Sequence, residues 1–204
     1  MILPTLALEK SLWQKGFLNI VGIDEVGRGS WAGPLIVAGV IFPQDFEIPE
    51  NLADSKALKH TQRVKLANII QNKGVGTYIV EISHRRIDKI GMGKATQEAF
   101  RKVARNIKPK PDFVLVDAFY IKHFSKKTQM AVKNGDKICA SISAASIIAK
   151  VYRDRLMRKL HFTFPDYGFG KHKGYGTKLH QQAIKTHGFS KIHRMSFNLG
   201  YLIT

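Results

Sequence analysis

The 204-residue sequence holds one cysteine, Cys139. A lone thiol closes no internal disulfide and builds no cysteine-rich zinc site, so the chain suits a reducing compartment and is expected in the cytoplasm. Acids are also scarce: 15 Asp and Glu stand against 33 Lys and Arg, a formal charge of +18. That imbalance draws the chain to polyanions, nucleic acid before anionic membrane, although a generically basic proteome would enrich lysine without any binding site. Long apolar runs are missing. The longest, PLIVAGVIFP at 34–43, falls far short of the roughly 20 residues a spanning helix needs. Glu9 and Lys10 interrupt the apolar opening too early for a signal-peptide core. With no repeat and no low-complexity tract, the expectation is a soluble protein with no membrane partner.

What is present is a folded core. At 44% hydrophobic and 10% aromatic, the chain is long enough for one good-sized core. NIVGIDEV and PLIVAGVIF read as adjacent β-branched strands around a glycine-rich turn, GVGTYIVEI as a third, and PDFVLVD as a short buried strand ending on an acid. Apolar residues at helical spacing predict helices over 61–71 and 94–107, and an Ala/Ile-rich one over 143–160. The layout is mixed α/β. Between 161 and 176 lie Phe162, Phe164, Tyr167, Phe169 and Tyr175 with four glycines, too much ring surface for a linker, so an ordered loop is expected there. A helix over 177–186 and a basic tail follow. Residues 1–160 are read as the α/β part, and 161–204 as a loop and helical segment packed on the same domain.

The few acids fall at telling places. Asp24 and Glu25 close one apolar strand and Asp117 closes another, and the crevice past the strand ends of an open α/β sheet is the usual ligand site. Carboxylates forced together there need a cation, and an oxygen-only donor set selects Mg²⁺ or Mn²⁺ over zinc. Such ions suit phosphodiester hydrolysis, one activating water and the other stabilising the leaving oxygen. Strand alternation sends adjacent side chains to opposite faces. Glu25 is therefore expected to join Asp24 only if regular geometry breaks at the glycines of GRGSWAG, letting it swing in or offer its carbonyl. An isolated Asp-Glu pair is otherwise an ordinary solvated strand end.

GIDEVGRG at 22–29, ADSK at 53–56, VDA at 116–118, GD at 135–136, the helix SISAASIIAKVYRD and the loop GFGKHKGYGTKLH together resemble ribonuclease HII, in order, over about residues 19 to 198. The resemblance implies a ribonuclease H-like mixed sheet flanked by helices, residues 1–160 being the catalytic domain and 161–204 a substrate-binding loop and small C-terminal helical segment packed on it. It implies an endonuclease that cuts the RNA strand of RNA–DNA hybrids and incises DNA 5′ to an embedded ribonucleotide. Asp24, Glu25, Asp117 and Asp136 then match the metal-binding acids, with two ions, Mn²⁺ or Mg²⁺, bound alongside substrate. Asn134-Gly135-Asp136 also has the composition of a plain turn. Gly27, Arg28 and Gly29 match the sensor of the RNA–DNA junction; glycines let main chain approach a 2′-hydroxyl, and a tight turn would need them equally. Arg28 would balance the acids or grip a phosphate. Tyr175 matches the tyrosine that stacks on the junction sugar, Lys56 a phosphate contact, and Asp154 a supporting acid, or the partner of Lys150 four residues earlier.

Ser30 and Trp31 depart from the Pro-Leu the family commonly has; the tryptophan either fills core or tunes substrate preference. Two other readings are set against the nuclease. A non-catalytic basic nucleic-acid-binding protein explains the charge but not the acids. A ribonuclease HIII-type enzyme usually carries a sizeable domain before the position of Asn19. The five histidines beyond Leu160 match no zinc spacing and read as surface donors. A monomer is expected.

Overall fold

The computed structural model describes residues 3–49, 52 and 58–203. Its elements are α1 (Ala7–Gln14), β1 (Ile20–Val26), β2 (Leu35–Ile41), α2 (His60–Lys73), β3 (Gly76–Ile82), α3 (His84–Ile90), α4 (Met92–Asn106), β4 (Phe113–Asp117), β5 (Gln129–Val132), α5 (Gly135–Ile138), α6 (Ala140–Thr163), α7 (Phe169–His172) and α8 (Lys178–His187). One five-stranded sheet runs in the order β3-β2-β1-β4-β5. The first three strands pair antiparallel, while β4 lies parallel to both β1 and β5. This is the expected mixed sheet flanked by helices.

Alternation along β1 separates two cores. Val21 and Ile23 join α4 residues such as Phe100 and Val103 in one cluster, whereas Ile20 packs on the other face with Ile142 of α6. The face of Ile20 is also that of Gly22 and Asp24. Gly22 lets α6 press against the sheet: a Cβ there would lie 2.3 Å from the Ser141 carbonyl carbon. This central helix is buried on nearly every side from Ala140 to Ala149, which is why its sequence is small and apolar throughout.

The anticipated strands and helices are present, with α6 beginning earlier, at Ala140. Besides the short helices α5 and α7, three elements were not anticipated. The helix α1 is anchored by tertiary contact: the buried Glu9 accepts through Oε1 from Ser141 N (2.8 Å) and from Cys139 Sγ (3.2 Å) at the start of α6. The short α3 begins at Ser83, whose hydroxyl accepts from Arg86 N. The edge strand β5 has only four residues, too few for a readable alternation. The aromatic stretch 161–176 is ordered, but as the end of α6, a 3₁₀ turn and α7 rather than a loop, with Tyr167 and Phe169 stacked at 5.5 Å.

Candidate active site

The parallel pairing of β1 with β4 brings the acids together. Their register runs to Ile23 opposite Val116, so the next residues, Asp24 on β1 and Asp117 at the end of β4, come side by side. Asp117 Oδ1 accepts from Gly135 N at 2.7 Å. That bond ties the start of α5 to β4 and sets Asp136, buried in its first turn, beside them. Asn134 just before it is left-handed (φ 54°), so the segment is a turn and a site element at once. Asp24, Glu25, Asp117 and Asp136 line one cavity of about 510 Å³ with Gly27, Arg28, Gly29, Ser146, Lys150 and Tyr175.

Burial pushes the Asp24 carboxyl well above its ordinary range, and the charges of Glu25 and Asp117 push it the same way, with a Ser146 hydrogen bond opposing. Asp24 Oδ1 also accepts from Glu25 N at 2.7 Å. Regular strand geometry ends at the glycines, as expected, with β1 stopping at Val26 and Gly27 at φ +93°, while Glu25 itself is still on the strand. Ladder pairing continues through Glu25–Val37 to Val26–Ile36, and Glu25 lies 3.6 Å from Arg28 Nη1. Arg28 in turn covers the Phe119 ring at 4.6 Å. Asp154 stands outside the cavity lining and binds Lys150, which is within it, at 2.8 Å. Lys56 and the rest of ADSK lie outside the described residues.

Two arginines that no sequence pattern singles out lie beneath the Gly27–Gly29 segment. Arg153 and Arg194 are fully buried. Arg153 donates to the carbonyls of Ala32, Pro34 and Lys173, and Arg194 to those of Gly33 and Arg28. Gly27, at φ +93°, sits directly on Arg153, where a Cβ would come within 2.1 Å of Nε. Trp31 is half-buried packing rather than full core: its ring lies under Gly176 and 5.5 Å from His180, and its backbone N–H donates to Gly174 O at 2.8 Å. Tyr175 remains 36% exposed at the cavity rim, its ring 5.5 Å from the Arg153 guanidinium. The histidines correct the surface reading: His172, His180 and His193 are buried together. A larger neighbouring cavity of about 700 Å³ shares Arg28 and is lined by Arg86, Lys94, Arg101, Lys122 and His123.

The donor set fits a hard divalent ion. Its acids offer only oxygen, and a buried carboxylate raised by two like charges is the arrangement a dication relieves. Among the described residues no three His, Cys, Asp or Glu side chains stand at ready-made coordination spacing, so the carboxylates share a cavity without forming a closed cage.

Comparison with known proteins agrees with this geometry. The family model for Ribonuclease HII matches residues 21–199. The curated ribonuclease HII of Acetivibrio thermocellus is 44% identical over 195 residues, covering 96% of this chain and 75% of that protein. That of Alkaliphilus oremlandii is 42% identical, covering 96% and 98%. Among solved structures, a complex of PCNA with RNase HII from Archaeoglobus fulgidus aligns with a TM-score of 0.76 at 25% identity, over 91% of this chain and 97% of that one. A Bst-RNase HIII crystallised with Mn²⁺ shares the fold at a TM-score of 0.65 and 17% identity, over 89% and 67%. With strand-end acids in one cavity, and sequence likeness along nearly its whole length, the chain belongs to the ribonuclease HII family of metal-dependent endoribonucleases acting on RNA–DNA hybrids.

Proposed function

We propose that Asp24, Glu25, Asp117 and Asp136 hold two divalent ions, Mg²⁺ or Mn²⁺, and that the chain both cuts the RNA strand of hybrids and incises DNA 5′ to an embedded ribonucleotide. The observation carrying this reading is the single cavity shared by the four acids, the Gly27–Gly29 segment and Tyr175. Divalent ions bound there supply the Lewis acidity that activates water and offsets charge on the leaving oxygen. The protein's own part is to place the scissile phosphate. Gly29 supports a close approach by the sugar: a Cβ on it would meet nothing within 4 Å, so no internal contact demands glycine there, whereas a sugar-phosphate lying on the main chain would. Arg28, 40% exposed, and Lys56 would meet phosphates. Tyr175 would stack on the sugar at the junction, and Asp154 would act through Lys150. All these groups come from one chain, which supports a monomer working alone.

The test is a DNA duplex carrying one ribonucleotide, compared with an RNA–DNA hybrid and plain DNA, in Mg²⁺, Mn²⁺ and a chelator. Cleavage of the first two only, leaving 3′-hydroxyl and 5′-phosphate ends and stopping with chelation, is the expected result. Comparable cutting of plain DNA would refute the role of Gly27–Gly29.

A further inference from the structure

Three histidines outside the acid cavity form a buried cluster, His172 stacked on His180 at 4.4 Å and His180 hydrogen-bonded to His193, whose proton positions follow from their partners. His172 Nε2 lies 2.7 Å from Tyr167 O, and a carbonyl only accepts, so this nitrogen carries the proton. His172 Nδ1 then accepts from Gly174 N at 3.1 Å. His180 Nδ1 lies 3.0 Å from Tyr175 O and must donate, leaving Nε2 bare. His193 Nε2, 3.0 Å from that atom, donates to it. His193 Nδ1 accepts from Ser190 N and Oγ, both at 2.8 Å. Every ring nitrogen has a partner, His193 Nδ1 having two, and a further proton on any ring would face an existing donor. All three rings are therefore neutral.

Burial acts in the same sense. It holds His180 and His193 down to about 4 and keeps His172 below the ordinary range. The groups facing them reinforce it: Lys173 and His161 at His172, the other two rings at His180, and His84 and His172 at His193.

Two of these bonds end on the segment carrying Tyr175. The Gly174 N–H and the Tyr175 carbonyl are both taken by imidazoles, while Tyr175 N–H donates to His172 O. Lys173 and Gly174 are both left-handed, at φ 56° and 82°, a conformation that needs such fixing. Leucines in the same volume would bury as much surface and hold neither backbone group. We infer that His172, His180 and His193 are positioning residues for Tyr175, fixing the 172–175 backbone so that its ring stays at the rim of the acid cavity. This inference rests on the reading of Tyr175 as the residue that meets the sugar.

Paired variants separate positioning from bulk. In His180→Asn the side-chain amide reaches the Nδ1 position and still donates to Tyr175 O; in His180→Gln it reaches the Nε2 position and faces His193 alone. Backbone hydrogen exchange of peptide 170–178 in the free protein should speed up by about tenfold in His180→Gln, the cost of one hydrogen bond, and little in His180→Asn. KM for the single-ribonucleotide duplex should rise by a similar factor in the Gln variant alone, with kcat little changed. His172→Gln, which keeps donation to Tyr167 O but frees the Gly174 N–H, should repeat the exchange result should His180→Gln not fold. Equal exchange in the Asn and Gln variants would overturn the inference. Faster exchange with unaltered cleavage would remove the role of Tyr175 and leave the backbone hold standing.

Discussion

Gly22→Ala probes the link between sheet packing and the acid cavity. The added methyl would lie 2.3 Å from Ser141 C and 2.4 Å from Ile142 N and Ser141 Oγ. Two of those atoms are main chain and cannot rotate away. Relief to an ordinary carbon contact of about 3.5 Å requires α6 to retreat by roughly 1 Å. Overpacking of this kind costs about 1–3 kcal/mol, against about 0.4–1 kcal/mol gained when alanine stiffens the unfolded chain. A net loss of about 1–2 kcal/mol lowers the melting temperature of a chain this size by roughly 2–8 °C. The same retreat draws Ser146 from Asp24 on the face they share, and a displacement of about 1 Å at a reacting centre can cost as much as 10²-fold in rate. Circular-dichroism melts, with single-turnover cleavage at a temperature where the variant stays folded, measure both effects. A variant melting at or above the parent and cleaving at the same rate would refute the close contact and its link to the site.

Asp24→Asn should lower cleavage by on the order of 10²- to 10³-fold, the value of several kcal/mol of charge stabilisation. Because the folded Asp24 holds its proton more tightly than an unfolded one, the parent's metal-free stability falls as pH rises from the ordinary carboxylate value through the raised one; the variant should escape that fall and melt higher at pH 8 in chelator. The histidines give the opposite slope: pKa values lowered to about 4 for His180 and His193 contribute stability that is complete above the unfolded value of about 6.5 and lost as pH falls towards 4, visible as melting temperature against pH in the Asp24→Asn background. Gly176→Ala would drive a Cβ to within 2.1 Å of the Trp31 ring, so it should slow cleavage and lower stability, and Trp31→Val in the same chain should restore part of both, a coupling of about 0.5–3 kcal/mol in a double-mutant melt. Neutralising Lys94 and Arg101 in the basic cavity should flatten the log–log dependence of hybrid affinity on salt by about 0.7–0.9 per lost phosphate contact, measured by anisotropy in chelator.

How far the site could be read from residues depends on where the information lies. Asp24 and Asp117 were legible because each follows an apolar strand run, and the two lie just past the last paired residues of the parallel neighbours β1 and β4. Asp136 was not legible from chemistry alone, since Asn134-Gly135-Asp136 is indeed a turn and its placement depends on a bond from Gly135 to Asp117, 18 residues away. Alternation alone misleads at Glu25, which is still on the strand yet lines the same cavity as Asp24, and regular geometry ends at Gly27, where the glycines announce it. Arg153, Arg194 and the buried histidines escaped because charged and polar residues in a basic chain are read as surface. Their partners are main-chain carbonyls and amides, which no side-chain pattern announces. The helices over 61–71 and 94–107 carry their own periodicity and were found within two residues at each end; α1 is defined by what it touches.

That contact makes the opening helix more than an attachment. Glu9 sits where the first turn of α6 presents its unpaired amides, and it supplies there both an acceptor and a negative charge facing the positive end of the helix. The same long helix carries Ser146, Lys150 and Arg153 further along. Trimming the chain back past residue 14, or fusing a tag that pulls this segment away, would thus uncap the rod that carries Ser146 and Lys150 into the cleft, and a cut made far from the chemistry would be felt as a blunted enzyme.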